Sequence, residues 1–224
     1  MRNAMDFVDP KTTPFVPTKS RGELPHLYKP AGTYFVSFRL LDAVILRKNG
    51  KLSAANESKK WEFSTPNQIA RAHEPPLTLG SCVLQRADIA MIVQNALLHF
   101  HRQRYLLIAW CIMPNHVHVI FAPHSGNLPN SILHGWKSFT AHEINRVLGT
   151  TGPVWERESF DHLVRNIESL EGFVRYTEEN PVQARLCARI EDWPYSSAGV
   201  RFDCGAGVSP AHLEDAGETP APQR

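Results

Sequence analysis

The sequence lacks three features that would assign it to a particular class of protein. No apolar run reaches the length of a membrane-spanning helix, and the N-terminal stretch "MRNAMDFVDPKTTP" lacks the apolar core of a signal peptide. The 4 cysteines include no CxxC pair, which favours a reducing compartment and argues against a disulfide framework or a cysteine zinc site. A formal net charge of +2 gives no overall attraction to nucleic acid, so any basic binding surface has to be local.

The chain of 224 residues is predicted to form one domain with additions. Residues 1–30 are proline-rich with little periodicity and are expected to form an irregular arm. The domain itself is predicted to span residues 31–200, with a polar insertion at about 47–76 that glycine and proline interrupt. Residues 201–224 are rich in Ala, Gly and Pro and are expected to form a disordered tail.

Hydrophobic periodicity predicts the order of strands and helices. The predicted elements are a strand at 32–46, a helix at 84–102, two strands on either side of Pro114-Asn115, a helix at 128–149, a strand at 154–164 and a helix at 167–181. The predicted inward positions of the helix at 128–149 are Ile132, Trp136, Phe139, Ile144 and Leu148. This order predicts an α+β fold of the ferredoxin-like, split βαβ type: an antiparallel sheet with helices on one face, plus a C-terminal helix.

Two histidines lie one residue apart in the predicted strand "HVHVIFAP". Because side chains alternate along a strand, His116 and His118 share one face at a spacing of about 7 Å. Two neutral imidazoles on one face can hold a divalent cation. A pair of hydrogen-bonded histidines on a half-exposed sheet explains the pattern equally simply, so the pair needs a further partner before it indicates a metal site.

The predicted helix at 167–181 offers that partner. Tyr176 and Asn180 are four residues apart and therefore project from one side of the helix. A tyrosine hydroxyl beside a metal ion can attack a phosphodiester, while an amide oxygen can serve as a ligand to Mg²⁺ or Mn²⁺. Taken alone, Tyr176 is equally typical of a tyrosine at the edge of a core.

Three segments together resemble a known family. "MPNHVHVIF", then "FVRYTEENPVQARL", then "WPYSSA" resemble the single-tyrosine HUH transposases, and most closely their REP-associated tyrosine transposase branch. "VWERESFDHLVR" resembles the stretch that precedes the tyrosine helix in that branch, and the resemblance covers roughly residues 28–200. The family usually has a glycine after its NPV-x-A stretch and Trp-Ser-Ser after the proline, where this chain has Arg185 and Tyr195.

The resemblance implies a function and a set of site residues. His116, His118 and Asn180 would hold a divalent metal ion, Mg²⁺ or Mn²⁺, and Tyr176 would be the nucleophile that forms a 5′-phosphotyrosine link. The implied partner is single-stranded or hairpin DNA with REP-like palindromes, bound by a monomer or a homodimer in the bacterial cytoplasm at the nucleoid. The basic residues that are candidates for DNA contacts are Arg102, Arg104, Lys137, Arg165, Arg175 and Arg185.

The tail contains two near repeats that are related through the genetic code. AGVSPA (206–211) and AGETPA (216–221) are related by reverse complementation of their codons with a shift of one base. The correspondence extends to Gly205 with Pro222 and to Cys204 with Gln223. We infer, as a hypothesis, that this part of the gene is an inverted repeat that folds into a hairpin, which is the type of DNA that the resemblance implies as a substrate.

Two alternatives differ from a transposase. A protein that binds palindromes as a regulator, without turnover, would keep the basic surface but would not need Tyr176. A zinc hydrolase would use His116 and His118 with another histidine, such as His124 or His162. No general-base carboxylate stands at a recognisable spacing for that chemistry.

Overall fold

The computed structural model describes residues 16–17, 27–29, 32–43, 65–66, 68 and 80–199. The predicted tail lies outside these ranges, as do most of the predicted N-terminal arm and of the insertion. The division of the chain into arm, domain, insertion and tail therefore stays a prediction.

A four-stranded antiparallel sheet forms the centre of the described fold. Two short strands, β1 (Val16–Pro17) and β2 (Leu27–Tyr28), pair with each other and form a separate sheet. The elements of the main fold are β3 (Thr33–Arg39), α1 (Ala87–His99), β4 (Tyr105–Ile112), β5 (His116–Pro123), α2 (Pro129–Leu148), β6 (Phe160–Val164) and α3 (Ile167–Gln183). The strands lie in the order β4-β5-β3-β6, and every neighbouring pair is antiparallel. This strand order, with a helix after β3 and another after β5, confirms the predicted ferredoxin-like α+β fold.

The two faces of the sheet carry two separate hydrophobic clusters because side chains alternate along each strand. Tyr34, Val36 and Phe38 of β3 belong to the larger cluster, which α1 and α2 cover. Phe35 points the other way and joins the smaller cluster beneath α3, which contributes Phe173 among others. Helices α1 and α2 therefore share one face, and α3 covers the opposite face, on which His116 and His118 lie.

Local chemistry fixes the ends of two helices. Helix α2 ends at Gly149, which adopts a left-handed conformation with φ of 65° that costs glycine little. Helix α3 begins after Asn166, whose side chain accepts a hydrogen bond of 2.8 Å from the backbone N–H of Ser169. Pro181 lies inside α3, which runs two residues further than the predicted end at 181.

Among the described helices, none combines the length and the apolarity that a membrane crossing requires.

Two predicted strands are longer than the strands that form. Strand β3 ends at Arg39, because its partner β5 begins opposite at His116 and the next N–H, that of Leu40, bonds to the carbonyl of Asn115. The strand predicted at 154–164 is regular only over Phe160–Val164, the residues that pair with β3.

The prediction that Phe139 points inward is wrong. Its side chain is 55% exposed, although three other residues of α2 that were predicted to point inward are buried: Ile132, Trp136 and Ile144. The buried positions of this helix are Ile132, Trp136, Thr140 and Ile144, which follow one another at intervals of four. Phe139 lies one position before Thr140 and so falls to the side of this stripe.

Candidate functional site

The two histidines lie at the beginning of β5 and face each other closely. His116 and His118 are 1% and 0% exposed, and their Nε2 atoms are 3.1 Å apart. They project from the same face of β5, as the alternation of the strand predicts, and the ring of His118 contacts Tyr176 of α3. Two imidazole nitrogens at this distance either share a hydrogen bond or direct their lone pairs at a common cation.

Asn115 fixes the orientation of the first imidazole. Its side-chain oxygen lies 2.8 Å from Nδ1 of His116, and because an amide oxygen can only accept, Nδ1 must donate the proton. The lone pair of His116 is then on Nε2, the atom that faces His118. The sequence identified Asn115 only as a turn residue; its place directly before the histidine is the one signal that could have indicated this role.

Helix α3 places both of its predicted site residues against the histidines. The side-chain amide nitrogen of Asn180 lies 3.4 Å from Nε2 of His118, and the ring of Tyr176 packs edge-on against His118 with centroids 5.4 Å apart. Tyr176 is 1% exposed and Asn180 is 6% exposed. The structure therefore brings together all four residues that the sequence singled out, from two elements some 60 residues apart.

An aromatic stack beneath α3 sets this arrangement. Phe35 of β3 stacks on His118 and on Phe173, with ring centroids 5.5 and 4.7 Å apart, and meets Tyr176 edge-on at 6.2 Å. Such ring pairs add to the energy of burial and restrict how the rings can turn. The position of Tyr176 relative to His118 is thus determined by a packed core and not by the helix alone.

The segment "WPYSSA" ties α3 to the edge of the sheet. Its residue Ser197 donates a backbone hydrogen bond of 2.9 Å to the carbonyl of Trp110 on β4. The hydroxyl of Ser197 lies 2.8 Å from Oε1 of Glu178, which stands two residues after Tyr176 on α3. The sequence marked this segment as part of the family pattern but gave no indication that it binds the tyrosine helix.

The ammonium group of Lys137 is engaged within the protein. It donates hydrogen bonds to the carbonyl oxygens of Glu156 and Arg157 and to the hydroxyl of Ser159, at 2.6 to 3.0 Å. Burial lowers the pKa of Lys137 to about 8, against the opposing effect of Glu156 and Glu158. Lys137 therefore holds the segment before β6 against α2.

The other basic candidates fall into two groups. Arg102 and Arg104 lie at the corner before β4, where the backbone N–H of His124 bonds to the carbonyl of Arg104. This corner is at the far end of β5 from His116, about 20 Å along the strand. The second group is exposed and lies on or beside α3: Arg165, Arg175 and Arg185.

Neither histidine that was considered for a zinc site joins the pair. Within the described ranges, no three His, Cys, Asp or Glu side chains are grouped so that they could hold a metal ion. His162 packs against the ring of Phe173 at 5.3 Å, and His124 is exposed beyond the end of β5. The donor set at the site is therefore two imidazoles and one amide.

His162 should make the fold sensitive to acid. Burial, with a smaller effect from Arg165, lowers the pKa of His162 to about 4. Between about pH 6.5 and 4 the unfolded chain binds a proton that the native protein does not, so the free energy of unfolding falls as the pH falls. Replacing His162 by Phe should remove about 1–3 kcal/mol of the stability difference between pH 7 and pH 4.5, measured by urea unfolding. His134→Gln, at an exposed position, should leave that difference unchanged; an equal effect of both substitutions would contradict the assignment.

Arg185 stands where the family usually has glycine, and the backbone explains that preference. Its φ is 58°, in the left-handed region that favours glycine. Arg185→Gly should therefore remove strain from the native state, although glycine also has greater freedom in the unfolded chain. The net result should be a rise of about 0.5–1 kcal/mol in the free energy of unfolding, measured by chemical denaturation. Arg189, with φ of −132°, provides the control: Arg189→Gly should not stabilise the protein. A loss of stability in Arg185→Gly would refute the strain argument.

Comparisons with known proteins yield sequence relatives, although no family model matches the chain. A protein of Haemophilus influenzae and a protein of Escherichia coli, both of which carry the name REP-associated tyrosine transposase, are 28% and 23% identical to the chain over 100 and 120 residues. These matches cover 40% and 53% of the chain, and 57% and 69% of the two relatives. The chain thus matches little more than half of the length of the first of them.

The fold has a counterpart among solved structures. A REP-associated tyrosine transposase bound to a REP hairpin superposes with a TM-score of 0.50 and 18% identity, over 91% of this chain and 98% of that one. At this identity the likeness shows the shared fold. The sequence matches and this shared fold both agree with the resemblance that the motifs predict: the chain is similar in sequence to two proteins named as REP-associated tyrosine transposases, and similar in fold to a third.

Proposed function

We propose that the protein cleaves and rejoins single-stranded DNA at hairpin-forming, REP-like sequences, with Tyr176 as the nucleophile. The observation that carries the proposal is the meeting of Tyr176 and Asn180 with His116 and His118 beneath α3. The family relationship supplies the reaction class, since the sequence relatives are named as tyrosine transposases.

The donor set fits a divalent cation held by His116, His118 and Asn180. A separation of 3.1 Å between two nitrogens is what two ligands of one ion have when each bond is about 2.1 Å long. Rotating the amide of Asn180 by half a turn exchanges its nitrogen for its oxygen, so it can offer an oxygen at the same place. When bound, Mg²⁺ or Mn²⁺ would polarise the phosphoryl oxygens and offset charge in the transition state.

The chemistry of the chain itself is nucleophilic substitution at phosphorus. The phenolic oxygen of Tyr176 loses its proton and forms a bond to phosphorus, while the bond from phosphorus to the 3′ oxygen of the preceding nucleotide breaks and that oxygen takes up a proton. The products are a 5′-phosphotyrosine and a free 3′-hydroxyl. Attack by a second 3′-hydroxyl reverses the step and joins new DNA ends, so the cycle needs no external energy source.

DNA can reach Tyr176 only after α3 moves away from β5. The tyrosine is 1% exposed, and both histidines are covered equally well. The hydrogen bond between Ser197 and Glu178 is one of the contacts that such a movement would have to break or carry along. We therefore regard the described arrangement as the closed form of the site.

The inverted repeat that we infer for the codons of residues 204–223 supports a proposal for the DNA that the site serves. We propose that the partner is a REP-like hairpin of this kind, encoded in or near the gene itself. A protein acting on chromosomal DNA would work in the bacterial cytoplasm, at the nucleoid. Monomers and homodimers are both compatible with the site.

A hairpin-binding regulator without turnover is the remaining alternative, and one experiment separates it from a transposase. The protein is incubated with Mn²⁺ and a single-stranded oligonucleotide copied from the codons for residues 204–223 with flanking single-stranded arms. We expect a covalent protein–DNA adduct that survives denaturant and that disappears when EDTA removes the metal. Tight binding of several such hairpins without any adduct would favour the regulator.

A further inference from the structure

Arg39 stands beside the histidine pair and belongs to none of the motifs. It is directly opposite His116 in the antiparallel pairing of β3 with β5, and Ser37 is opposite His118. Directly opposite residues of an antiparallel pair project from the same face with Cβ atoms about 5 Å apart. The guanidinium group therefore originates in the same row of side chains as the first imidazole.

A carboxylate completes this row and holds the arginine in place. The Nε–H of Arg39 donates to Oε2 of Glu156 in an ion pair, and the backbone N–H of Glu156 donates a bond of 2.9 Å to the carbonyl of Arg39. The carbonyl of Glu156 is in turn fixed by the ammonium group of Lys137 at 2.6 Å. Both partners of the ion pair are therefore anchored through their main chain as well as their side chains.

The bond with Glu156 leaves most of the donors of Arg39 available. Arginine carries five N–H groups in a planar fork, and within the described part of the chain only Glu156 accepts from this side chain. The side chain of Arg39 is 25% exposed, whereas His116 beside it is 1% exposed. The side chain of Arg39 is thus partly open to solvent at a position directly opposite the buried His116.

We propose that Arg39 binds the scissile phosphate through its terminal amino groups and that Glu156 is the residue that positions it. A planar fork matches two oxygens of a phosphate, and a guanidinium beside the reacting phosphorus offsets the charge that develops there. This inference rests on the proposed function and adds to it a contact to substrate that the two histidines and the amide do not supply.

The test combines a substitution in the protein with a substitution in the substrate and compares their effects on the rate of adduct formation, singly and together. The cleavage position is first mapped with the wild-type protein, and the same hairpin is then made with an uncharged methylphosphonate at that position. Arg39→Gln should slow adduct formation about 10- to 100-fold on the phosphodiester, the cost of one charge-assisted hydrogen-bonded contact. On the methylphosphonate, wild type and Arg39→Gln should differ by less than about threefold, because the anionic oxygen is gone.

Three further variants distinguish a phosphate contact from a structural role. Arg39→Lys keeps the charge without the fork and should recover part of the rate, and Glu156→Gln should have a smaller effect than Arg39→Gln. Arg146, which pairs with Glu143 on the exposed side of α2, is the matched control, and Arg146→Gln should react like wild type on both substrates. Thermal unfolding of each variant shows whether it is folded.

Each outcome decides the inference. If Arg39→Gln slows both substrates by the same factor, or reacts like wild type, Arg39 does not bind the phosphate and the proposed function is unaffected. If the wild-type protein forms no adduct with any hairpin, the proposed function itself fails and the inference falls with it.

Discussion

Replacing Tyr176 by Phe should abolish the covalent adduct, with a loss of at least about 10⁴-fold in the rate of strand cleavage. The substitution removes one oxygen atom and keeps the ring that packs against His118 and Phe35. Because no other group would then form the bond to phosphorus, the reaction should fall below detection. The measurement is the appearance of a denaturant-resistant band that contains both protein and labelled hairpin.

The same variant should still bind DNA. Affinity for the uncleaved hairpin, measured by fluorescence anisotropy, should change by less than about threefold, since phosphate contacts supply most of such binding. Tyr195→Phe is the matched control, because Tyr195 is half-buried and packs on Trp193, away from the histidines; it should form the adduct at the wild-type rate. Adduct formation by Tyr176→Phe would show that another residue is the nucleophile.

The sequence predicted the elements of the fold because most of them have strong local signals. The hairpin of β4 and β5 follows from two apolar runs around Pro114-Asn115, and the end of α2 follows from Gly149. Phe139 could not be placed correctly, since apolar character alone does not say which positions of a helix a particular sheet will cover.

The site could be predicted only in part. Spacing placed His116 with His118 and Tyr176 with Asn180, because each pair lies within one strand or one helix. That the two pairs form one site was implied by the family resemblance; in the structure the two pairs lie together, with His118 stacked on Phe35. No periodicity could have indicated that Phe35 would be the residue that joins them.

Contacts between distant segments could not be predicted from the sequence. Arg39 and Glu156 are separated by 117 positions, and Glu178 and Ser197 by 19. Each of these residues, taken alone, is typical of an ordinary surface or loop position. The first contact depends on the bridge between Leu40 and Trp155 at the end of β3, and the second depends on the docking of the segment 193–198 along β4. Only the folded chain defines these two pairings.

His118→Phe should separate metal binding from folding at this site. The phenyl ring preserves stacking on Phe35 and the edge contact with Tyr176, but it removes the nitrogen that lies 3.1 Å from His116 and 3.4 Å from Asn180. Without that donor the remaining pair is a poor ligand set, and the affinity for Mn²⁺, measured by calorimetry, should fall by at least about 100-fold. Cleavage should fall on the order of 10³-fold, the several kcal/mol that a cation supplies to a phosphoryl transition state.

The control for this prediction is another histidine on the same strand hairpin. His124 is exposed just beyond β5, and His124→Gln should bind Mn²⁺ and cleave DNA like wild type. Hairpin affinity without metal should be the same in both variants, because the proposed role of His118 is towards the cation and not towards DNA. If His118→Phe kept full Mn²⁺ affinity while folded, the two imidazoles would be a hydrogen-bonded pair in the core, and the metal-binding role of His118 would have to be abandoned. If it lost the metal but still cleaved at the wild-type rate, the tyrosine would act without the cation, and the part of the proposed mechanism that depends on the ion would be wrong.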